Sequence, residues 1–270
     1  MEPLLFNSSI FVSFLFLIVT GVFIAAQFKQ DNSIMDIAYG PIFFLTALAT
    51  FMYSDSTSLL SLLLLSATGI WALRLSSRIY KKNHNAPEDA RYAAWRSQWM
   101  QKGLLYFYVR SYIQITLLQG FIIFLVSLPF ILSLNTDSVS SWFLVTGLTI
   151  YALGLAIETT ADYQLDAFIA RKKTGTEPAV ILTTGLFKYS RRPNYFGETL
   201  IWWGLAITVL PLSFGNLGLI SPLVITYIVT KVTGPMLENI FLQKYPTEYQ
   251  AYMRTTNYFF PLPPRRTRIS

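Results

Sequence analysis

The chain has 270 residues, of which 53% are hydrophobic and 13% charged; ordinary soluble domains are about 25% charged, so a water-soluble globule is excluded. The net charge of +7 would suit a nucleic-acid partner, but the bases flank apolar stretches, where they meet anionic lipid headgroups instead. There is no cysteine and His84 is the single histidine, which removes disulfide and thiolate chemistry and argues against a protein-built zinc site.

In chain order, apolar stretches predict seven membrane-spanning helices, at residues 10–26, 37–53, 58–75, 112–134, 141–158, 199–212 and 217–230. The chain starts Met1-Glu2-Pro3 without a base, so the first stretch reads as a retained span and not a cleavable signal. Asn7-Ser8-Ser9 is a glycosylation sequon, but it lies too close to that span to serve as one. The last two stretches are short for the roughly 17–25 residues of a crossing. Pro211, Gly215, Gly218 and Pro222 break them up, so they read as one helical hairpin.

All 21 lysines and arginines fall in four segments: at Lys29, from Arg74 to Arg110, from Arg171 to Arg192, and from Lys231 onward. Glu2, Asp55 and Asp137 mark the other connections, which hold no base. Basic residues gather on the cytoplasmic side, and seven crossings place all four segments there, with the N-terminus outside and the C-terminus cytoplasmic. The expected fold is an all-α polytopic membrane helical bundle. It divides into an N-terminal part, 1–110, with three spans and a basic loop, and a C-terminal part, 111–270. The membrane would be the endoplasmic reticulum in a eukaryote or the inner membrane in a bacterium. Within residues 74–110, Tyr92, Trp95, Trp99 and Tyr106 among the bases predict an amphipathic helix at headgroup depth.

Three constellations carry chemistry. Arg191-Arg192-Pro193-Asn194-Tyr195-Phe196-Gly197-Glu198 leads into Trp202-Trp203. Pro193 keeps Arg192 extended and can start a helix, so Asn194 and Glu198 share a face. The block offers guanidinium for phosphate, with an amide and a carboxylate beside it. Arg191 alone reads as a snorkelling headgroup contact. Glu158 and Asp162 share a second helical face and repel, so compensation is expected, with Arg171-Lys172-Lys173 able to approach. Glu238, in Gly234-Pro235-Met236-Leu237-Glu238-Asn239, ends the last apolar stretch. Asp36 and Tyr39 open the second span, while Gln114, Thr116 and Gln119 on the fourth read as interhelical glue.

These residues resemble the steroid 5α-reductase superfamily, in a mostly uncharacterised branch labelled as a domain of unknown function. The likeness rests on Gly185-Leu186-Phe187-Lys188-Tyr189-Ser190-Arg191-Arg192-Pro193-Asn194-Tyr195-Phe196-Gly197-Glu198, with Trp202-Trp203-Gly204, Asp162-Tyr163, Leu237-Glu238 and Tyr258-Phe259-Phe260-Pro261. The resemblance implies a seven-helix bundle holding NADPH in a cytoplasmic-facing cavity and reducing an activated C=C bond of a steroid-like or isoprenoid lipid. By position it implies cofactor contacts at Asp162, Asn194 and Glu198, with Tyr189, Arg192, Tyr195 and Glu238 lining that site. The pattern departs at Trp71, where those reductases carry a substrate-polarising tyrosine. It departs again at Met35-Asp36, Gly234 and Glu238, where they carry a Gln-Glu pair, a histidine and a tyrosine.

The expected function is therefore NADPH-dependent reduction of an apolar lipid, with Asp36 and Tyr39 as candidate hydrogen-bond donors to the substrate. The block is also similar to that of isoprenylcysteine-type membrane methyltransferases, which use S-adenosylmethionine. A non-catalytic lipid-binding bundle is the third reading. The expected partners are the lipid substrate and membrane lipids, with no metal and no nucleic acid.

Overall fold

The computed structural model describes residues 2–54, 56, 58–83, 87–134, 136 and 140–265; His84, Arg266 and Arg268 lie outside them. Among the described residues the regular structure is helical, with one isolated parallel bridge, Ser190 to Asn257. Six helices are long and apolar enough to cross a membrane: Glu2–Phe28, Ile34–Tyr53, Leu59–Lys81, Leu104–Val126, Ser141–Lys173 and Gly215–Lys244. The protein is an integral, multi-pass, all-α membrane protein. The remaining expected span is the helix Pro193–Val209, whose 17 residues stand at the lower limit for a crossing.

Several span boundaries differ from those expected: the first helix starts at Glu2, the third runs to Lys81 and the last runs to Lys244, and the fourth and fifth are also displaced. The fourth helix starts at Leu104, eight residues before the expected span, directly after Gly103 turns the chain at φ +106°. The fifth continues past Glu158 to Lys173, since nothing breaks it before Gly175 (φ +73°), whose N–H bonds to Lys172 O.

The chain divides into two compact units, residues 1–140 with 209–220, and residues 141–208 with 221–270. In the first, α1 (Glu2–Phe28), α2 (Ile34–Tyr53) and α3 (Leu59–Asn83) pack in sequence, with α2 against both neighbours. Phe43 of α2 meets Trp71 of α3 edge-on at 5.2 Å, and both are almost wholly buried. The short α4 (Ala90–Met100) is capped by Asp89, whose carboxylate accepts from Arg91 N at 3.0 Å. Next come α5 (Leu104–Arg110), a π-helical turn at Ser111–Leu117, α6 (Leu118–Val126) and α7 (Leu128–Ser133). Asn7 is 1% exposed inside this unit, so the sequon is closed to modification.

The second unit is built on α8 (Ser141–Lys173) and α9 (Pro193–Val209). Each carries two glycines seven residues apart, and they face each other in antiparallel order. A Cβ on Gly147 would lie 2.6 Å from Gly204 O, and one on Gly154 would lie 2.7 Å from Gly197 O. The backbones therefore touch along two turns, the close approach that small residues allow between membrane helices. After α10 (Ile220–Tyr227), a π-helical turn at Ile228–Thr233 leads into α11 (Gly234–Lys244), α12 (Pro246–Thr255) and a tail described to Arg265.

Candidate functional site

The second unit gathers most of the expected site residues. Gly185, at φ +61°, starts a 3₁₀ turn (Gly185–Lys188); the side-chain Oε1 of Gln164 on α8 accepts from Leu186 N at 2.9 Å. The tail is bonded onto the segment that follows. Arg191 N donates to Asn257 O at 2.8 Å, Ser190 Oγ donates to Phe259 O at 2.8 Å, and Leu262 N donates to Tyr189 O at 3.1 Å. Tyr252 Oη donates to Phe187 O from the other side. Ser190 Oγ also accepts from Arg192 N at 3.1 Å, fixing the entry to α9, where Pro193 occupies the first helical position.

The two arginines of the block do different things. Arg191 is 8% exposed, and its Nε pairs with Glu238 Oε1 at 2.7 Å. Its Nη1 donates to Thr256 O at 2.6 Å and to Met253 O at 3.4 Å. The snorkelling expected of Arg191 is overturned: the partners that draw it inward come from α11, α12 and the tail. Arg192 lies over the rings of Phe241 (5.4 Å) and Tyr195 (6.0 Å). Its Nε and Nη2 are buried and make no hydrogen bond to any described residue. Two aligned, desolvated N–H donors between aromatic faces suit a carboxylate or phosphate oxygen pair.

Around this guanidinium, Asn194, Tyr195 and Glu198 are half-buried on the first turns of α9, and Tyr189 is 41% exposed. On α8, Glu158 and Asp162 are 4% and 5% exposed. Gly197 is what lets α9 approach them, since a Cβ there would lie 2.6 Å from Glu158 N. Two of the bases expected to compensate this pair are engaged elsewhere: Arg171 pairs with Glu177 at 3.0 Å and Lys172 donates to Glu177 O at 3.3 Å. Straight continuation of α8 carries Arg171 about 13 Å beyond Asp162. Glu238 is bound on one side by Arg191 and accepts from Tyr249 Oη at 3.2 Å.

Tyr258 is a member of this region that spacing alone did not single out. Its hydroxyl donates to Val229 O at 2.8 Å, a carbonyl in the π-helical turn. It reaches there because residue 234 is glycine, where any Cβ would collide with the phenol oxygen. Burial pushes its pKa up to about 12, with the Glu238 carboxylate adding to the effect and Arg192 opposing it. Burial raises Tyr252 and Tyr249 as well.

Asp36 and Tyr39 belong to the first unit. Asp36 Oδ1 accepts from Tyr92 Oη at 2.7 Å and from Gln119 Nε2 at 3.4 Å, while Oδ2 pairs with Arg91 at 3.2 Å. Burial and the neighbouring carboxylate hold the Tyr92 phenol well above its usual range. Beside it Glu88 takes both Arg96 Nε (2.9 Å) and Nη2 (3.0 Å), and accepts from Asn32 N at 2.8 Å. Together these contacts clamp α4 to the start of α2, and Gln119 serves as the expected glue. The Tyr39 ring stands edge-on to Phe43 (5.2 Å) and Trp71 (6.4 Å). Among the described residues, no cluster of side chains could hold a metal ion.

The family described as "Protein of unknown function (DUF1295)" matches residues 22–256, and the chain belongs to it. No curated protein and no solved structure matches the chain.

Proposed function

We propose that this DUF1295 protein is a membrane-embedded reductase that uses NADPH to reduce an activated carbon–carbon double bond in a steroid-like or isoprenoid lipid. The observation that carries the reading is Arg192, with two buried guanidinium N–H groups uncommitted beside an arginine whose bonds are filled. A dinucleotide rich in phosphate fits that donor set. The resemblance to the steroid 5α-reductase superfamily, carried by the block around Arg192, supplies the reaction class. When bound, NADPH would provide the hydride for the β-carbon of the double bond, and the α-carbon of the resulting enolate would take a proton from solvent.

In this reading the chain's own residues bind and orient. Arg192 holds phosphate, and Tyr195 and Phe241 keep its plane fixed by stacking. Asn194, Glu198, Asp162 and Tyr189 offer polar contacts to the rest of the nucleotide. Glu238 shapes this site through Arg191 and Tyr249 and does not itself touch the nucleotide. Asp36, already an acceptor for Tyr92 and Gln119, is assigned to the clamp on α4. The polarising donor then falls to another group, with Tyr39 kept from the sequence reading.

The test is ligand-dependent thermal unfolding of the detergent-purified chain with NADPH, NADH and S-adenosylmethionine. A ligand that binds the native state raises the midpoint by mass action. NADPH should raise it, and Arg192→Ala should weaken binding by about tenfold to a hundredfold, the loss of one charge-assisted hydrogen-bonding group. A response to S-adenosylmethionine alone would replace the reductase with a methyltransferase. A response to none of the three from folded protein would leave a non-catalytic lipid-binding bundle.

A further inference from the structure

From Ala90 to Thr136 the sequence contains no aspartate or glutamate, yet it holds four bases, Arg91, Arg96, Lys102 and Arg110. Two of these are neutralised from outside the stretch, Arg91 by Asp36 and Asp89, and Arg96 by Glu88. Lys102 and Arg110 have no carboxylate within ion-pair distance among the described residues, and both are exposed. They are not dispersed. The Lys102 ammonium sits 5.2 Å from the centre of the Tyr106 ring, and the Arg110 guanidinium sits 5.9 Å from the same ring. Arg110 also stands 5.9 Å from Trp99, which stacks on Trp95 at 5.8 Å.

The backbone sets this up. Gly103 turns the chain between α4 and α5 and leaves Lys102, just before the turn, against the Tyr106 ring, while Tyr106 and Arg110 stand four residues apart on one side of the helix that becomes the span Leu104–Val126. Two like charges drawn to one aromatic ring repel each other, and the ring offsets only part of that cost. An anion between them removes the repulsion. The position at the end of a membrane span, among tryptophan and tyrosine, is headgroup depth.

We infer that Lys102, Tyr106 and Arg110, backed by Trp99, form a binding site for the phosphate of an anionic phospholipid headgroup. The site is independent of the nucleotide reading and uses residues of the first unit alone. An attraction on the order of 1 kcal/mol per base at a membrane surface makes both charges together worth about thirtyfold in affinity.

The experiment is native mass spectrometry of the full chain in detergent, titrated with phosphatidylglycerol or with phosphatidylcholine of the same acyl chains. The wild type should retain phosphatidylglycerol preferentially. The exposed double variant Lys102→Gln/Arg110→Gln should lose that preference by about thirtyfold, while Lys102→Arg keeps it. A matched unfolding midpoint shows that the variant is folded, and the single variants provide a second pair if it is not. Equal retention of the two lipids by the wild type would overturn the site. So would a preference that survives in the folded double variant. Displacement of the lipid by millimolar inorganic phosphate would assign the pair to a soluble anion, and would overturn the lipid assignment.

Discussion

Arg191 Nε and Glu238 Oε1 lie 2.7 Å apart, with the two side chains 7% and 15% exposed, although the residues are 47 positions apart in the chain. The pair ties the segment before α9 to α11, and Arg191 Nη1 ties it to Met253 O of α12 and to Thr256 O of the tail. Removing one partner leaves a buried charge, which costs about 3–5 kcal/mol. Glu238→Ala should therefore lower the unfolding midpoint sharply, and Glu238→Gln, which keeps an acceptor, should lower it less. Midpoints equal to wild type for both would remove the pair from the stability of this unit.

Alkaline pH should destabilise the protein through Tyr258. An unfolded phenol titrates near pH 10, and burial lifts this one to about 12. The folded chain thus holds the proton more tightly than the unfolded chain. The corresponding stability is complete below about pH 10 and is lost as pH rises through about 12. Unfolding midpoints measured across that window should fall less steeply in Tyr258→Phe than in wild type. Parallel declines would show that other groups control the alkaline limit.

The glycine seam between α8 and α9 predicts an asymmetric response to alanine. Gly154→Ala or Gly197→Ala puts a methyl within 2.8 Å of facing backbone, and should cost about 1–3 kcal/mol or more. Gly21, in α1, has nothing within 4 Å of an added Cβ, so Gly21→Ala should be neutral or stabilising by about 0.5–1 kcal/mol. Thermal unfolding of the three single variants decides it. A destabilised Gly21→Ala beside a tolerant seam would reverse the assignment.

The Asp36 clamp predicts local loosening. Tyr92→Phe removes the donor 2.7 Å from Asp36 and leaves a half-buried carboxylate short of one partner, a cost of about 1–3 kcal/mol. Because the bond joins α4 to α2, trypsin should cleave more rapidly at Arg91 and Arg96 in the variant than in wild type. Unchanged cleavage would mean that the Glu88–Arg96 pair holds α4 unaided.

What could be read from the sequence follows the range of each interaction. Hydrophobic length located the spans, because a helix in lipid satisfies its backbone internally whatever its neighbours. Pro193 after Arg192 announced the start of α9 for the same local reason. Arg191 was misjudged because its partners, Glu238, Met253 and Thr256, lie 47 to 65 residues downstream. The glycine seam did leave a trace, since Gly147 and Gly154 repeat the spacing of Gly197 and Gly204. Only the antiparallel pairing gives that trace meaning. The two π-helical turns have no local signature, and the one at Ile228–Thr233 is coupled to a hydroxyl that arrives from Tyr258.

The bonding of the tail onto the Arg191 segment sets an order of events during synthesis. Thr256, whose carbonyl receives Arg191, is 65 residues further along the chain. At 5–20 residues per second, the ribosome needs roughly 3–13 s to reach it after Arg191 is made. Until then Arg191 lacks Thr256 and the tail contacts, so the neighbourhood of Arg192 matures only after every span has been translated. Premature termination anywhere in α12 would yield chains with all their apolar helices and an unfinished polar centre.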